Sequence, residues 1–187
     1  MFVRMHGYFI FAVSIIFVIF HLTLPVYAFL PNIRERAIHL ALAFLLIFLG
    51  GVKERKQAGW IIDIAISITG VGLCAYMVVK YHDIIEQYGI ASGPVQVIMG
   101  LVLTVVILEF ARRAVRPTLP IIALIFLFYA IFGHLIPGDF GHPQYSLDTI
   151  SSMLFLTTGG LWGQLLGVSA NIIAIFVFLG AFIVNSG

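Results

Sequence analysis

The sequence predicts an all-α, polytopic integral membrane protein of about six transmembrane helices, with its N-terminus cytoplasmic. Three observations carry that expectation. Apolar residues make up 61% of the 187 and charged residues only 10%, with a mean hydropathy of +1.12, whereas a soluble domain carries roughly a quarter charged residues. The charges fall in short clusters between apolar runs of about 20 residues, the length that crosses a hydrocarbon core. The basic residues, finally, are unevenly shared between alternate loops. A chain this apolar cannot screen itself from water by folding, so lipid is the solvent it suits. At roughly 25–30 residues per span and loop, five or six spans use the whole length and leave no soluble domain.

The first span covers residues 7–29, after Arg4. Val26-Tyr27-Ala28 resembles a signal-peptidase site, but the apolar run outlasts the 7–15 residues of a signal-peptide core, so retention is expected. The second span, residues 37–52, is short and is expected to rely on Arg36 and Lys53 snorkelling to the interfaces. The third runs from Trp60, an interfacial anchor, to Val79, near Tyr76 and Tyr81. The fourth covers residues 94–111. The fifth opens on Pro117-Thr118-Leu119-Pro120, since proline is tolerated in a first helical turn, and ends before the turn signal Pro137-Gly138. A polar loop follows to Ser146. Residues 147–158 mix Asp, Ser and Thr with apolar residues, and suit either an interfacial helix or the polar beginning of a sixth span. Gly159 and Gly160 interrupt that stretch, and residues 161–184 are apolar for long enough to cross.

With the N-terminus inside, cytoplasmic segments hold Arg4, Lys53, Arg55, Lys56, Arg112, Arg113 and Arg116. The outside loops hold only Arg34, Arg36 and Lys80. Lysine and arginine resist translocation, so this orientation is favoured. The net charge of +2 gives no footprint for nucleic acid. The single Cys74 excludes an intrachain disulfide and a cysteine metal cluster, and is expected to pack as a small residue.

Charge inside a bilayer is costly and draws attention to each polar residue. Asp63 lies three residues after Trp60, within reach of an interface. Glu109 precedes Arg112 and Arg113 at i+3 and i+4, which puts all three on one helix face as an interfacial ion pair. His21 and His39 are expected to be hydrogen-bonded interior groups, since no histidine pair at i, i+4 accompanies a carboxylate. No metalloprotease, nucleophile-elbow or phosphate-loop motif appears, so no enzyme is expected and no catalytic, cofactor-binding or metal residue is assigned. Gly159, Gly163 and Gly167 recur every four residues, with Ser169, Ala170 and Asn171 following. Small residues at that spacing let membrane helices approach closely, and Asn171 can add an interhelical hydrogen bond. These four positions are a candidate helix-docking surface, unless residues 159–163 form a loop.

From Leu108 onward an ordered series of about 80 residues carries a family resemblance. It runs through Leu108-Glu109-Phe110-Ala111-Arg112-Arg113, Arg116-Pro117, Leu119-Pro120-Ile121, Tyr129-Ala130, Phe132-Gly133, Pro137-Gly138 and Gly141-His142. It continues in Trp162-Gly163, Gly167-Val168-Ser169-Ala170, Gly180-Ala181-Phe182 and Ser186-Gly187. In these residues the chain resembles the fused permease of tripartite ATP-independent periplasmic (TRAP) transporters, in the TAXI-type branch; residues 1–107 agree in hydropathy and span count. The resemblance implies a four-helix Q-like domain over 1–111, a linking helix and periplasmic loop over 112–146, and the first elements of an M-like transport domain over 147–187. It implies a multi-pass protein of the bacterial or archaeal inner membrane. Its expected role is the scaffold of a sodium-driven, binding-protein-dependent importer of small organic acids. Expected partners are a periplasmic TAXI-type solute-binding protein, the remaining M-like domain and the lipid bilayer. Sodium is the family's coupling ion, but none of the matching positions is a family sodium or substrate residue. Such permeases continue for several hundred residues, so a truncated or split permease is expected. The competing reading is a non-transporting structural or assembly protein of the membrane.

Overall fold

A computed structural model describes residues 2–24, 30–51, 57–114 and 117–186. The Val26-Tyr27-Ala28 segment lies outside the described residues, as do Lys53, Arg55, Lys56 and Arg116 of the charge count and the side chains of Arg4 and Trp60. The described residues are helical, with no strand among them. In chain order the helices are α1 (Phe2–Thr23), α2 (Asn32–Gly51), α3 (Gln57–Val79), α4 (Tyr81–Ile85), α5 (Pro94–Ala114), α6 (Thr118–Phe132), α7 (Leu147–Leu156), α8 (Gln164–Val168) and α9 (Ala174–Asn185). A 3-10 turn, Gly133–Leu135, follows α6, and a π turn, Ser169–Ile173, joins α8 to α9. Helices predominate because a backbone in lipid must satisfy its own hydrogen bonds.

Among the described residues, four helical stretches are long and apolar enough to cross a membrane: Ile62–Val79, Pro94–Arg113, Thr118–Leu135 and Gln164–Asn185. Gly7–Thr23 within α1 is a shorter apolar stretch. Their outward residues are large and apolar: Phe126 is 67% exposed, Phe176 67% and Phe182 71%. Water would oppose so much exposed apolar surface on each, and a bilayer would cover it. This is the build of a multi-spanning helical membrane protein.

The chain forms two compact units, Met1–Tyr81 with Trp162–Gly187, and His82–Leu161. In the first, α2 packs along α3, and α1 lies against both α2 and α9. Ala37, Phe44, Cys74 and Met77 are buried there, so Cys74 is the small interior residue expected. Arg34 Nε donates to the Val78 carbonyl at 3.2 Å, and its guanidinium lies 4.7 Å from the centre of the Tyr81 ring. A cation there satisfies an end carbonyl of α3 and complements the negative pole of that helix.

In the second unit α5 packs on α7, and α6 lies beside both. Pro94 opens α5, and Gln96 Oε1 accepts from the Ser92 amide at 2.8 Å just ahead of it. Ser146 caps α7 by accepting the Thr149 amide at 3.1 Å. Ten residues of α7 rise about 15 Å, half a hydrocarbon core. The helix stops at Thr157, and a turn intervenes before α8. Residues 147–156 are therefore a short separate helix rather than the beginning of the following span.

Candidate functional site

The densest polar arrangement lies inside the first unit, where α1, α2 and the α8–α9 helix meet. Glu35, Arg36 and His39 are brought to that junction by i, i+3 and i, i+4 spacing on α2. His21, on the last turn of α1, is fully buried, and Phe17, Phe20 and Phe178 surround it at ring separations of 4.2, 5.1 and 6.0 Å. Its Nδ1 lies 2.6 Å from the Phe17 carbonyl, and its Nε2 lies 2.7 Å from His39 Nδ1. His39 Nε2 in turn faces Ser169 Oγ at 3.4 Å. One hydrogen-bonded path thus runs from a carbonyl through two imidazoles to a hydroxyl. The expectation of hydrogen-bonded interior histidines is met, but through each other, which their spacing of 18 residues does not announce.

Beside this path, Asn171 Nδ2 donates to Glu35 Oε1 at 2.5 Å. Glu35 is only 8% exposed, so this amide is its bond to the facing helix. Arg36 Nη1 donates to the Trp162 carbonyl at 2.5 Å, and its buried Nε has no partner among the described residues. The guanidinium lies against Gly167, where a Cβ would come within 2.6 Å of Nη2. The head of Arg36, a residue expected to snorkel to an interface, bonds backbone at the helix junction. The π turn carries both Ser169 and Asn171. Residues two apart on an α-helix do not share a face, yet here both meet α2 across a turn closed by the Ala174 amide on the Ser169 carbonyl. π turns recur at functional sites.

The four docking candidates are not one stripe. Gly159 lies in the turn after α7 and belongs to the second unit, with its amide donating to Thr157 Oγ1 at 3.1 Å. Gly163, in extended conformation, precedes α8. Gly167 and Asn171 belong to the first unit and face Arg36 and Glu35. Residues 159–163 thus adopt the loop alternative. Glu109, Arg112 and Arg113 do meet: Arg112 Nε and Nη2 each lie 2.8 Å from the carboxylate, and Arg113 Nε 2.5 Å. The joining of Glu35 to Asn171 and of His21 to His39 does not follow from their spacing in the sequence. The available signal was the α2 run Glu35, Arg36, His39, three polar residues on neighbouring positions at the polar beginning of a helix whose remainder is apolar.

Among the described residues, the second unit holds half-open clefts with mostly apolar walls. One of about 490 Å³ is bordered by Tyr88, Gly89, Asp148 and Ser152. Another, about 480 Å³, lies between α6 and α7 beneath His142 and Tyr145. The loop over it is pinned to α6: Tyr129 Oη donates to the Phe140 carbonyl at 2.6 Å, and His142 approaches the Pro143 and Tyr129 carbonyls at 2.7 and 2.9 Å. Gly133 leaves room for that ring, since a Cβ would overlap it. Two acceptors favour a ring carrying both protons, so the Pro143 carbonyl, and then that of Tyr129, holds His142 above the ordinary histidine value.

Among the described residues no three His, Cys, Asp or Glu side chains cluster as metal ligands. Comparison with protein-family models, curated proteins and solved structures finds no match.

Proposed function

We propose that this chain is the membrane-embedded scaffold part of a secondary, sodium-driven importer of small organic acids, of the TRAP type. The observation that carries the reading is the ordered residue series from Leu108 to Gly187, which resembles a TAXI-type fused permease along its length. Residues 1–111 are the Q-like part, 112–146 the link and outer loop, and 147–187 the beginning of the M-like part. Four helical stretches long and apolar enough to cross a membrane, among the described residues, support a membrane-embedded scaffold role. So does the packing of α9 on α1 and of the α8–α9 junction on α2: late elements of the chain fasten onto early ones, as a rigid support requires. The N-terminus is cytoplasmic and the membrane is the inner membrane. The partners are an M-like transport domain, which holds the substrate and sodium sites, and a soluble TAXI-type binding protein that delivers the substrate.

The test is reconstitution. Proteoliposomes holding the chain with an M-like domain, and supplied with the binding protein, are expected to take up an organic acid down a sodium gradient. The chain by itself is expected to transport nothing. Uptake by the chain alone would refute the scaffold assignment, and uptake indifferent to its presence would refute the transporter reading. Orientation is tested separately by maleimide labelling of Glu54→Cys in a Cys74→Ala background. Labelling from the periplasmic side would overturn the cytoplasmic N-terminus.

A further inference from the structure

We propose that the His21–His39 pair is a buried binding site for a single proton, with Ser169 as the group that accepts the added N–H. The proposal rests on the side-chain geometry of the first unit and does not depend on the transport reading.

A separation of 2.7 Å between His21 Nε2 and His39 Nδ1 is a hydrogen bond, and such a bond needs one nitrogen with a proton and one without. In the neutral state His21 Nδ1–H donates to the Phe17 carbonyl, which can only accept. His21 Nε2 is then the lone-pair partner and His39 Nδ1–H the donor. That leaves one basic position in the path, His39 Nε2, facing the Ser169 hydroxyl at 3.4 Å. A proton from water adds to this lone pair, and Ser169 turns from donor to acceptor. The inter-ring bond survives. A second added proton would set two N–H groups head to head at 2.7 Å, so the pair takes one and no more.

The charged surroundings are limited and mixed. Glu35 lies within electrostatic reach of His21 and offers negative charge. Arg36, next to it on α2, brings positive charge but spends a donor on the Trp162 carbonyl. The helix stretch Gln164–Asn185 facing the pair contains no charged residue. In α3, packed on α2, the one charge is Asp63, near the end of that hairpin away from His39. Ionisable side chains within membrane spans are expensive and recur as proton-carrying groups, and hydrogen bonds in a low-dielectric interior are stronger than in water and reinforce one another.

The test uses the whole chain, labelled with 15N-histidine, in lipid nanodiscs, followed by NMR from pH 4 to 9. The expected result is one transition shared by His21 and His39, totalling one proton, with N–H···N coupling between the rings on both sides of it. Assignment comes from His21→Gln and His39→Gln, with His82→Gln as a variant outside the pair. Ser169→Ala removes the acceptor for the added N–H while sparing both rings, and should displace the shared transition toward acid by about one pH unit, the scale of one lost hydrogen bond. Two independent transitions would overturn the proposal. So would the absence of inter-ring coupling, or no protonation of the pair across the whole range. An unmoved transition in Ser169→Ala would remove Ser169 from it.

Discussion

Replacing Gly100 by alanine should destabilise the protein, whereas the same change at Gly72 should not. Both glycines lie within apolar helices, α5 and α3. At Gly72 a Cβ meets nothing within 4 Å, so the substitution brings only the helical preference of alanine, worth about 0.8–1 kcal/mol in its favour. At Gly100 a Cβ would lie 2.8 Å from Phe155 Cβ and 3.1 Å from the Ser151 carbonyl, and would overlap Ser151 Oγ. Carbon atoms pack comfortably at about 3.5–4.0 Å, so α5 and α7 must part by roughly 1 Å. Such overpacking costs about 1–3 kcal/mol. Parting also stretches the buried bond from Ser151 Oγ to the Val97 carbonyl, now 2.7 Å, for about 1 kcal/mol more. Against the propensity gain, Gly100→Ala should lose about 1–3 kcal/mol net, while Gly72→Ala gains up to about 1 kcal/mol. The assay is unfolding of the detergent-solubilised chain by increasing SDS mole fraction, followed by circular dichroism. Gly100→Ala proving as stable as Gly72→Ala would refute the reasoning that α5 and α7 touch through that glycine.

Gly160→Ala should be harsher, about 3 kcal/mol, because its Cβ would overlap the backbone of Met153 and Leu154, which cannot swing aside; the same SDS titration reads it, and wild-type stability would contradict the turn geometry. Asn171→Ala should cost about 1–3 kcal/mol by leaving the buried Glu35 carboxylate without its amide partner, whereas Glu35→Gln with Asn171 retained should cost less; equal losses would show that the bond is unimportant. The 137–146 loop should loosen as pH rises. His142 is held above its ordinary value of 6.5, so its contribution is complete below that pH and disappears as pH climbs through the raised folded value. Amide exchange of that loop from pH 6 to 8, corrected for intrinsic rates, should show the loss, and His142→Gln should abolish the pH dependence; a pH-independent loop in the wild type would refute the doubly donating ring.

Helical class, a bilayer-like hydropathy and the starts and ends of α3, α5 and α6 were legible in the residues, because these follow from local chemistry; α1 and α2 begin five residues before the expected starts, and the short α4 was not expected. An apolar run of bilayer length has to satisfy its backbone internally, and Pro94, Pro117 and the Pro137-Gly138 turn mark boundaries wherever the chain goes next. Gly138 indeed takes φ +82, which the turn requires and glycine permits. The Glu109, Arg112 and Arg113 ion pairs were legible for the same reason, since partners three and four residues apart meet on any helix. The glycine repeat was not, because spacing fixes a face only if one helix continues through it, and a turn separates Gly159 from Gly167. His21 with His39, and Glu35 with Asn171, stand 18 and 136 residues apart. Which faces of α1, α2 and the α8–α9 helix turn toward one another depends on packing summed over many weak contacts. Only that sum brought four polar residues, each unremarkable in its own segment, into one junction.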